Sequence, residues 1–208
     1  MTSSIELIFD FASPNGYLAW QGLIPIAART GARIELVPAL LGGVFKATNN
    51  QAPFVAFGGV TGKLAYEMLE IRRFVRDQGL DRFRFNPHFP VNSLLVMRAW
   101  IAARRDGRGD AFAEAVSRAL WEEGLLMSDP AVVAGVLTSA GLDAEALIAA
   151  AGQADVKAEL ADLTAAAVAR GVFGVPTLFV GDEMFFGKER LAQIEAELIR
   201  AASPASGS

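Results

Sequence analysis

The sequence predicts an α/β fold in which a helical block interrupts a small sheet, and three observations carry that prediction. A strand–helix–strand pattern runs to Pro38. Helical periodicity dominates from Gly62 to Arg170. Two apolar strands and an amphipathic helix then close the chain.

Ile5 to Phe11 is a short apolar run bounded by small residues, as a buried strand requires. The period changes at Ala12-Ser13-Pro14. Serine is a favoured N-cap, and proline suits the first helical position because its missing N–H would have had no partner there. Tyr17, Leu18, Trp20 and Leu23 continue at helical spacing. A serine hydroxyl therefore stands where a strand delivers the chain to a helix N-terminus, a place that favours negative charge. On these residues alone Ser13 is a cap.

Thr30-Gly31 ends the helix, and Arg33 to Pro38 alternates like a second strand, completing a βαβ unit with a right-handed parallel crossover. Leu40 to Gly59 holds four glycines, two asparagines and a proline without sustained period, and reads as an ordered surface excursion rather than regular structure. Six helical segments follow: Lys63 to Gln78, Asn92 to Arg105, Asp110 to Glu123, Asp129 to Ala140, Asp143 to Ala151 and Asp155 to Arg170. Asn92-Ser93, Asp129-Pro130 and Asp143 supply start signals, while Gly79, Gly107, Gly124, Gly141 and Gly171 stand where C′ glycines belong. Val175 to Val180 and Met184 to Phe186 form a hairpin around Gly181-Asp182-Glu183. Lys188 to Ala202 then places Leu191, Ile194 and Leu198 on one helical face.

The sum is a thioredoxin-like core, βαβ…ββα, interrupted by an all-helical insertion. Residues 1–60 and 171–203 form the core, 61–170 the insertion, and 204–208 a disordered tail.

Composition narrows the chemistry. The 208 residues contain no cysteine and one histidine, which removes disulfides, thiol nucleophiles and thiolate metal sites and disfavours a His-based metal site or triad. Any thiol must come from a ligand. The net charge of −4 gives no footprint for nucleic acid. Arg72 to Arg84 is interleaved with acids and reads as a solvated face. No run is long enough to span a bilayer and the N-terminus lacks the basic region of a signal peptide, so a cytoplasmic protein is expected.

Four ordered motifs carry a resemblance. They are Asp10-Phe-Ala-Ser-Pro14 with Tyr17-Leu-Ala19; Leu40-Leu-Gly-Gly-Val-Phe-Lys46 with Asn50; Phe85-Asn-Pro-His-Phe-Pro-Val-Asn92 with Met97-Arg98; and Gly171-Val-Phe-Gly-Val-Pro-Thr177 with Phe186-Gly-Lys-Glu-Arg-Leu191. Together they span nearly the whole chain. The sequence resembles the 2-hydroxychromene-2-carboxylate isomerases and the related kappa-class glutathione transferases, in the DsbA-like branch of the thioredoxin fold.

The resemblance implies glutathione as cofactor and assigns roles residue by residue. Ser13 holds and activates the glutathione sulfur, whose thiolate is the competent nucleophile. Val175-Pro176 is a cis-proline step whose Val175 backbone pairs with the tripeptide as an added strand. Glu189 and Arg190 bind the γ-glutamyl end, and Asn50 (or its neighbour Asn49) contacts glutathione. Lys46 faces the carboxylate of an aromatic acid substrate. Phe45, Phe54, Phe57 and Phe85 offer aromatic surface, although each is also a candidate for core packing, and His88 reads as structural. A homodimer is implied as well. The pattern departs from the family after Ser13-Pro14: the usual Tyr-Ser is Asn15-Gly16 here, which bears on the substrate wall.

The expected reaction is glutathione-dependent cis–trans isomerisation of 2-hydroxychromene-2-carboxylate, or a similar aromatic acid, to trans-o-hydroxybenzylidenepyruvate. Two alternatives stay open at this point: a kappa-like transferase that consumes glutathione on an electrophile, and a non-catalytic glutathione-binding module.

Overall fold

The computed structural model describes residues 4–202, and the tail expected at 204–208 lies outside the described residues. Four strands, β1 (Ser4–Phe9), β2 (Arg33–Pro38), β3 (Thr177–Val180) and β4 (Glu183–Phe186), form one sheet in the order β2-β1-β3-β4. β1 and β2 are parallel, across the crossover helix α1 (Pro14–Thr30), while β3 runs antiparallel to both β1 and β4.

Alternation along β1 explains why it is central. Leu7 pairs with Leu36 on one side and Leu178 on the other. Ile5, Leu7 and Phe9 enter the main core, whereas Ile8 points to the opposite face, into a smaller cluster with Val44, Ala167, Val172, Val175 and Phe179. Both faces of β1 are thus covered, and a continuous apolar run is what such a strand needs.

Between β2 and β3 lie α2 (Leu41–Thr48), α3 (Pro53–Ala56), α4 (Lys63–Asp77), α5 (Leu94–Arg105), α6 (Gly109–Trp121), α7 (Pro130–Ser139), α8 (Ala144–Ala150) and α9 (Ala154–Ala169). The helical block shares the sheet's core. Trp121 and Trp100 are buried, and the Trp121 indole N–H donates to the Phe11 carbonyl at 2.9 Å, fastening α6 to the end of β1. Phe11 meets Trp100 edge-on at 5.0 Å. Among the described residues, no helix is long and apolar enough to cross a membrane.

Local signals act largely as expected. Ser13, Asp129 and Asp143 cap α1, α7 and α8 by accepting from Gly16, Ala131 and Ala146 N–H groups. The glycines after α4, α5, α6, α7 and α9 all have positive φ. At α5 the capping acceptor is Asn92 Oδ1, which receives the Leu94 N–H at 2.9 Å; Ser93 makes no cap bond.

Three expectations are corrected. Leu40 to Gly59 is not irregular, since α2 and α3 lie within it. Its glycines argue against a helix by propensity, yet they are what lets α2 sit on α9: a Cβ on Gly43 would stand 3.1 Å from Thr164 Cγ2. Leu40 supplies no side-chain cap, and the Leu41 N–H instead donates to Asp10 Oδ2 at 2.7 Å, an acceptor delivered by the end of β1. The strand expected from Val175 enters the ladder only at Thr177, after Pro176, which has no N–H to give to it. The last helix begins with a 3-10 turn at Lys188–Arg190, and α10 proper spans Leu191–Ala202.

Candidate active site

The α1 N-terminus and the cis-proline step meet. Ser13 is 5% exposed; its Oγ accepts the Gly16 N–H at 3.0 Å and donates to the Val175 carbonyl at 3.3 Å. Residues 162 apart in sequence are joined by one hydroxyl. Val175-Pro176 is cis, and among the described residues the Val175 N–H has no acceptor. Gly16 permits the approach: a Cβ there would lie 3.2 Å from Ser13 Cβ and 3.3 Å from Val175 Cγ1.

Ser13 and Val175 line a cavity of about 620 Å³, and a ligand-sized space beside a helix N-terminus fits a bound anion or polarised thiol. Its wall is mostly apolar. Phe45, Phe54 and Phe85 contribute, as does Phe89, whose bond to Pro90 is a second cis peptide. Phe57 does not line it; its ring lies under the Lys63 ammonium, 4.9 Å away. Phe54 and Phe85 each pack against Phe89, at 5.4 and 5.1 Å between ring centres.

The other expected site residues do not line this cavity. Asn50 is exposed, and its amide N–H donates to the Phe173 carbonyl at 2.8 Å, holding the segment that leads into Val175. Asn49 is in the left-handed region, with φ of 54°, and ends α2. Pro176 is buried, and its carbonyl accepts the Gly187 N–H at 3.0 Å, which ties the cis-proline to the turn carrying Glu189 and Arg190. Glu189 pairs with Lys188; Arg190 is exposed and has no ion-pair partner among the described residues. Lys46 is exposed on α2, outside the cavity wall. His88 is exposed, and its backbone N–H donates to Asn86 Oδ1 at 2.8 Å.

Sequence reasoning missed Asp10, Lys188 and the Lys63–Glu67 pair. Asp10 is fully buried in the cavity wall, accepts the Ala12 and Leu41 N–H groups and engages the Ser93 side chain. Burial pushes its carboxyl above the usual carboxylate range, and those hydrogen bonds oppose the shift. An acid ending a buried strand, three residues before a candidate site serine, was the available signal. Lys188 is only 3% exposed, with its ammonium 5.4 Å from the Phe74 ring centre. Glu67 lines the cavity and is paired with Lys63 at 2.7 Å. Among the described residues no cluster could hold a metal ion.

Known proteins match this architecture along almost its full length. A family model described as a DSBA-like thioredoxin domain covers residues 4–199. A 2-hydroxychromene-2-carboxylate isomerase of Sphingobium xenophagum is 30% identical over 96% of this chain and 100% of its own. A solved structure of a 2-hydroxychromene-2-carboxylate isomerase superposes with a TM-score of 0.83 at 29% identity, covering 95% of each chain. Glutathione S-transferase kappa 1 of Rattus norvegicus is 28% identical over 90% of this chain and 87% of its own. With a family model over residues 4–199 and a relative 30% identical along its whole length, the chain belongs to the 2-hydroxychromene-2-carboxylate isomerase family of DSBA-like thioredoxin domains.

Proposed function

We propose that the chain is a glutathione-dependent cis–trans isomerase acting on 2-hydroxychromene-2-carboxylate or a similar conjugated aromatic acid, with trans-o-hydroxybenzylidenepyruvate the product of the former. The observation that carries this reading is the meeting of Ser13 Oγ, the α1 N-terminus and the Val175-Pro176 cis step on the wall of an apolar cavity. The relatives' names support the isomerase activity, and the kappa transferase among them supports glutathione.

The residues present fit a glutathione thiol. Ser13 has one proton to give, now placed on the Val175 carbonyl at a long 3.3 Å, and that proton can turn to a sulfur beside it. The Gly16 N–H continues to hold the oxygen. Donation from a hydroxyl and the positive end of α1 both favour thiolate over thiol. The unpaired Val175 N–H suits a peptide laid alongside as an extra strand. Glu189 and Arg190 take the ammonium and carboxylate of the γ-glutamyl end, Asn50 holds the loop bearing Phe173, and Lys46 meets the substrate carboxylate outside the cavity.

When bound, glutathione would supply a nucleophile that adds reversibly to the conjugated double bond; the hemiketal ring C–O bond opens, with the 2-hydroxyl becoming the ketone and its proton passing to the ring oxygen, so that the former double bond can rotate as a single bond before the thiol leaves. The protein contributes position, a dry aromatic wall and stabilisation of negative charge at sulfur. Ultraviolet titration tests the first step: bound glutathione shows thiolate absorbance near neutral pH, and Ser13→Ala removes it. An unchanged thiolate signal in that variant overturns the assignment. Free glutathione followed over many turnovers stays constant for an isomerase and falls for a transferase.

A further inference from the structure

Met97-Arg98 belongs to one of the four sequence motifs, and neither residue lines the Ser13 cavity. Met97 is core, fully buried on α5. Arg98, next to it on the same helix, is half-buried and has no hydrogen bond, ion pair or ring contact among the described residues. That sets it apart. Among the described residues three of the lysines and arginines are not exposed, and the other two, Lys63 and Lys188, are paired with Glu67 and Glu189. A guanidinium partly withdrawn from water loses hydration, and a carboxylate beside it is the usual compensation.

Arg98 lines a cleft of about 390 Å³, large enough for a small ligand. Lys157 on α9 lines it too, and its ammonium is likewise unpaired among the described residues. Ser128, on the approach to α7, adds a hydroxyl that makes no hydrogen bond within the described residues. No carboxylate lines the cleft, although the chain as a whole carries a net charge of −4. The acids nearest in sequence are engaged elsewhere: Asp155 and Glu159 hold Arg105, and Asp129 caps α7. The rest of the wall is largely apolar, with Leu94, Leu95 and Ile148 each half-buried. Two free cations and a hydroxyl beside an apolar surface are complementary to an anion that carries a hydrocarbon body.

We infer that this cleft is a binding site for a small organic acid, distinct from the Ser13 cavity. The Arg98 guanidinium receives the carboxylate as a two-pronged donor, Lys157 adds a second positive charge, and the leucines and Ile148 hold the hydrocarbon part. The two spaces are neighbours, since Asn92 and Leu94 line both. Their charge is opposite: the charged residues of the cavity wall are Asp10 and Glu67, and those of the cleft are Arg98 and Lys157. The inference does not rest on the reading of the Ser13 cavity.

Amide chemical-shift titration of the full chain at pH 7 with benzoate, benzyl alcohol and inorganic phosphate tests this. Benzoate is expected to move the Ser128, Gly152 and Lys157 amides. Benzyl alcohol, which keeps the ring and lacks the charge, is expected to bind there at least about tenfold more weakly. Phosphate, which leaves the apolar surface uncovered, is expected to be weaker than benzoate by about tenfold. Arg98→Gln should weaken benzoate at these amides by about tenfold, and Lys157→Gln by about threefold. Benzoate shifts confined to the Ala12 and Ser13 amides of the cavity, benzyl alcohol binding as tightly as benzoate, or an Arg98→Gln affinity equal to wild type each overturns the inference. Phosphate binding more tightly than benzoate overturns the assignment to organic acids. Lys157 is exposed, so Lys157→Gln leaves the fold intact and decides the matter should Arg98→Gln fail to fold. Unchanged benzoate affinity in that variant then overturns the inference.

Discussion

The two walls of the cavity are built by different means. On the α1 side, hydrogen bonds to backbone carbonyls fix the parts: the Ser13 hydroxyl donates to Val175, which precedes β3, and the Gly187 N–H donates to Pro176. On the side of α2, α3 and α4, the wall is mostly side chains, Phe45, Phe54, Leu64 and Met68, on helices whose own starts carry no side-chain cap. Val55, Val60 and Tyr66 on that side are more than half exposed. The first wall is a rigid holder and the second a contact surface. A change in the holder alters chemistry, and a change in the surface alters which ligand is held.

The largest effect is expected from Ser13→Ala. Losing one preorganised donor to a developing anion lowers turnover by about 10²–10³-fold. The same change removes the cap of α1, at a cost of about 1 kcal/mol in stability. Stopped-flow rates at saturating glutathione, with thermal melts alongside, separate the two, because a cap defect alone lowers the melting temperature without erasing thiolate absorbance.

Asp10→Asn comes next, since Asp10 links the two walls by bonding Ala12 on one and Leu41 on the other. An amide has one acceptor oxygen, so one of the two N–H groups meets an NH₂ instead, at a cost of about 1–3 kcal/mol. The pH dependence has a defined sign. The folded-state pKa of Asp10 is raised above its unfolded value, so its contribution is complete below the unfolded pKa and is lost as pH rises through the folded one. The melting temperature of wild type should therefore carry a component that declines with rising pH above the unfolded Asp range and is missing in Asp10→Asn. Parallel melting curves for the two proteins across that range would sink this account.

How much of each wall could be read from the sequence follows from the same difference. The parts of the holder carry local signals as a cap, a strand start and a turn (a serine and proline after an apolar strand, a proline before another, and Gly187 ahead of a charged turn), but their meeting and the cis step came only from the family resemblance, because the Ser13–Val175 bond joins residues 162 apart. Each has a steric or hydrogen-bonding reason that acts within a few residues. The surface side has no such code. Gly42 and Gly43 lower helix propensity, yet α2 forms because its first N–H finds Asp10 and its glycine face finds Thr164 on α9. Those partners lie about thirty and more than one hundred residues away, beyond any window of periodicity. Aromatic type was equally uninformative: Phe45, Phe54 and Phe85 face the cavity and Phe57 does not, although nothing in their local sequence separates them.

Phe54→Ala sharpens the contrast. Phe54 is 39% exposed and packs edge-on to Phe89 at 5.4 Å, so its removal opens the cavity without unfolding the core. KM for the aromatic substrate should rise about tenfold while the glutathione thiolate signal is unchanged, as loss of one apolar contact on the substrate side predicts. A fall in thiolate absorbance would mean that the two walls are not separable.

Gly16→Ala asks the reverse question, whether the holder tolerates one methyl group. The added Cβ would stand 3.2 Å from Ser13 Cβ and 3.3 Å from Val175 Cγ1, so one of the two must yield by a few tenths of an ångström. Helix propensity favours the change by about 1 kcal/mol, which offsets part of the crowding and leaves stability nearly level. The Ser13–Val175 spacing does not share that compensation. Turnover should fall several-fold with KM for the aromatic substrate unchanged, because the displaced hydroxyl is misplaced for sulfur while the opposite wall is untouched. A shift in KM with turnover intact would place Gly16 in the contact surface instead, and the division of the cavity into holder and surface would have to be redrawn along α1.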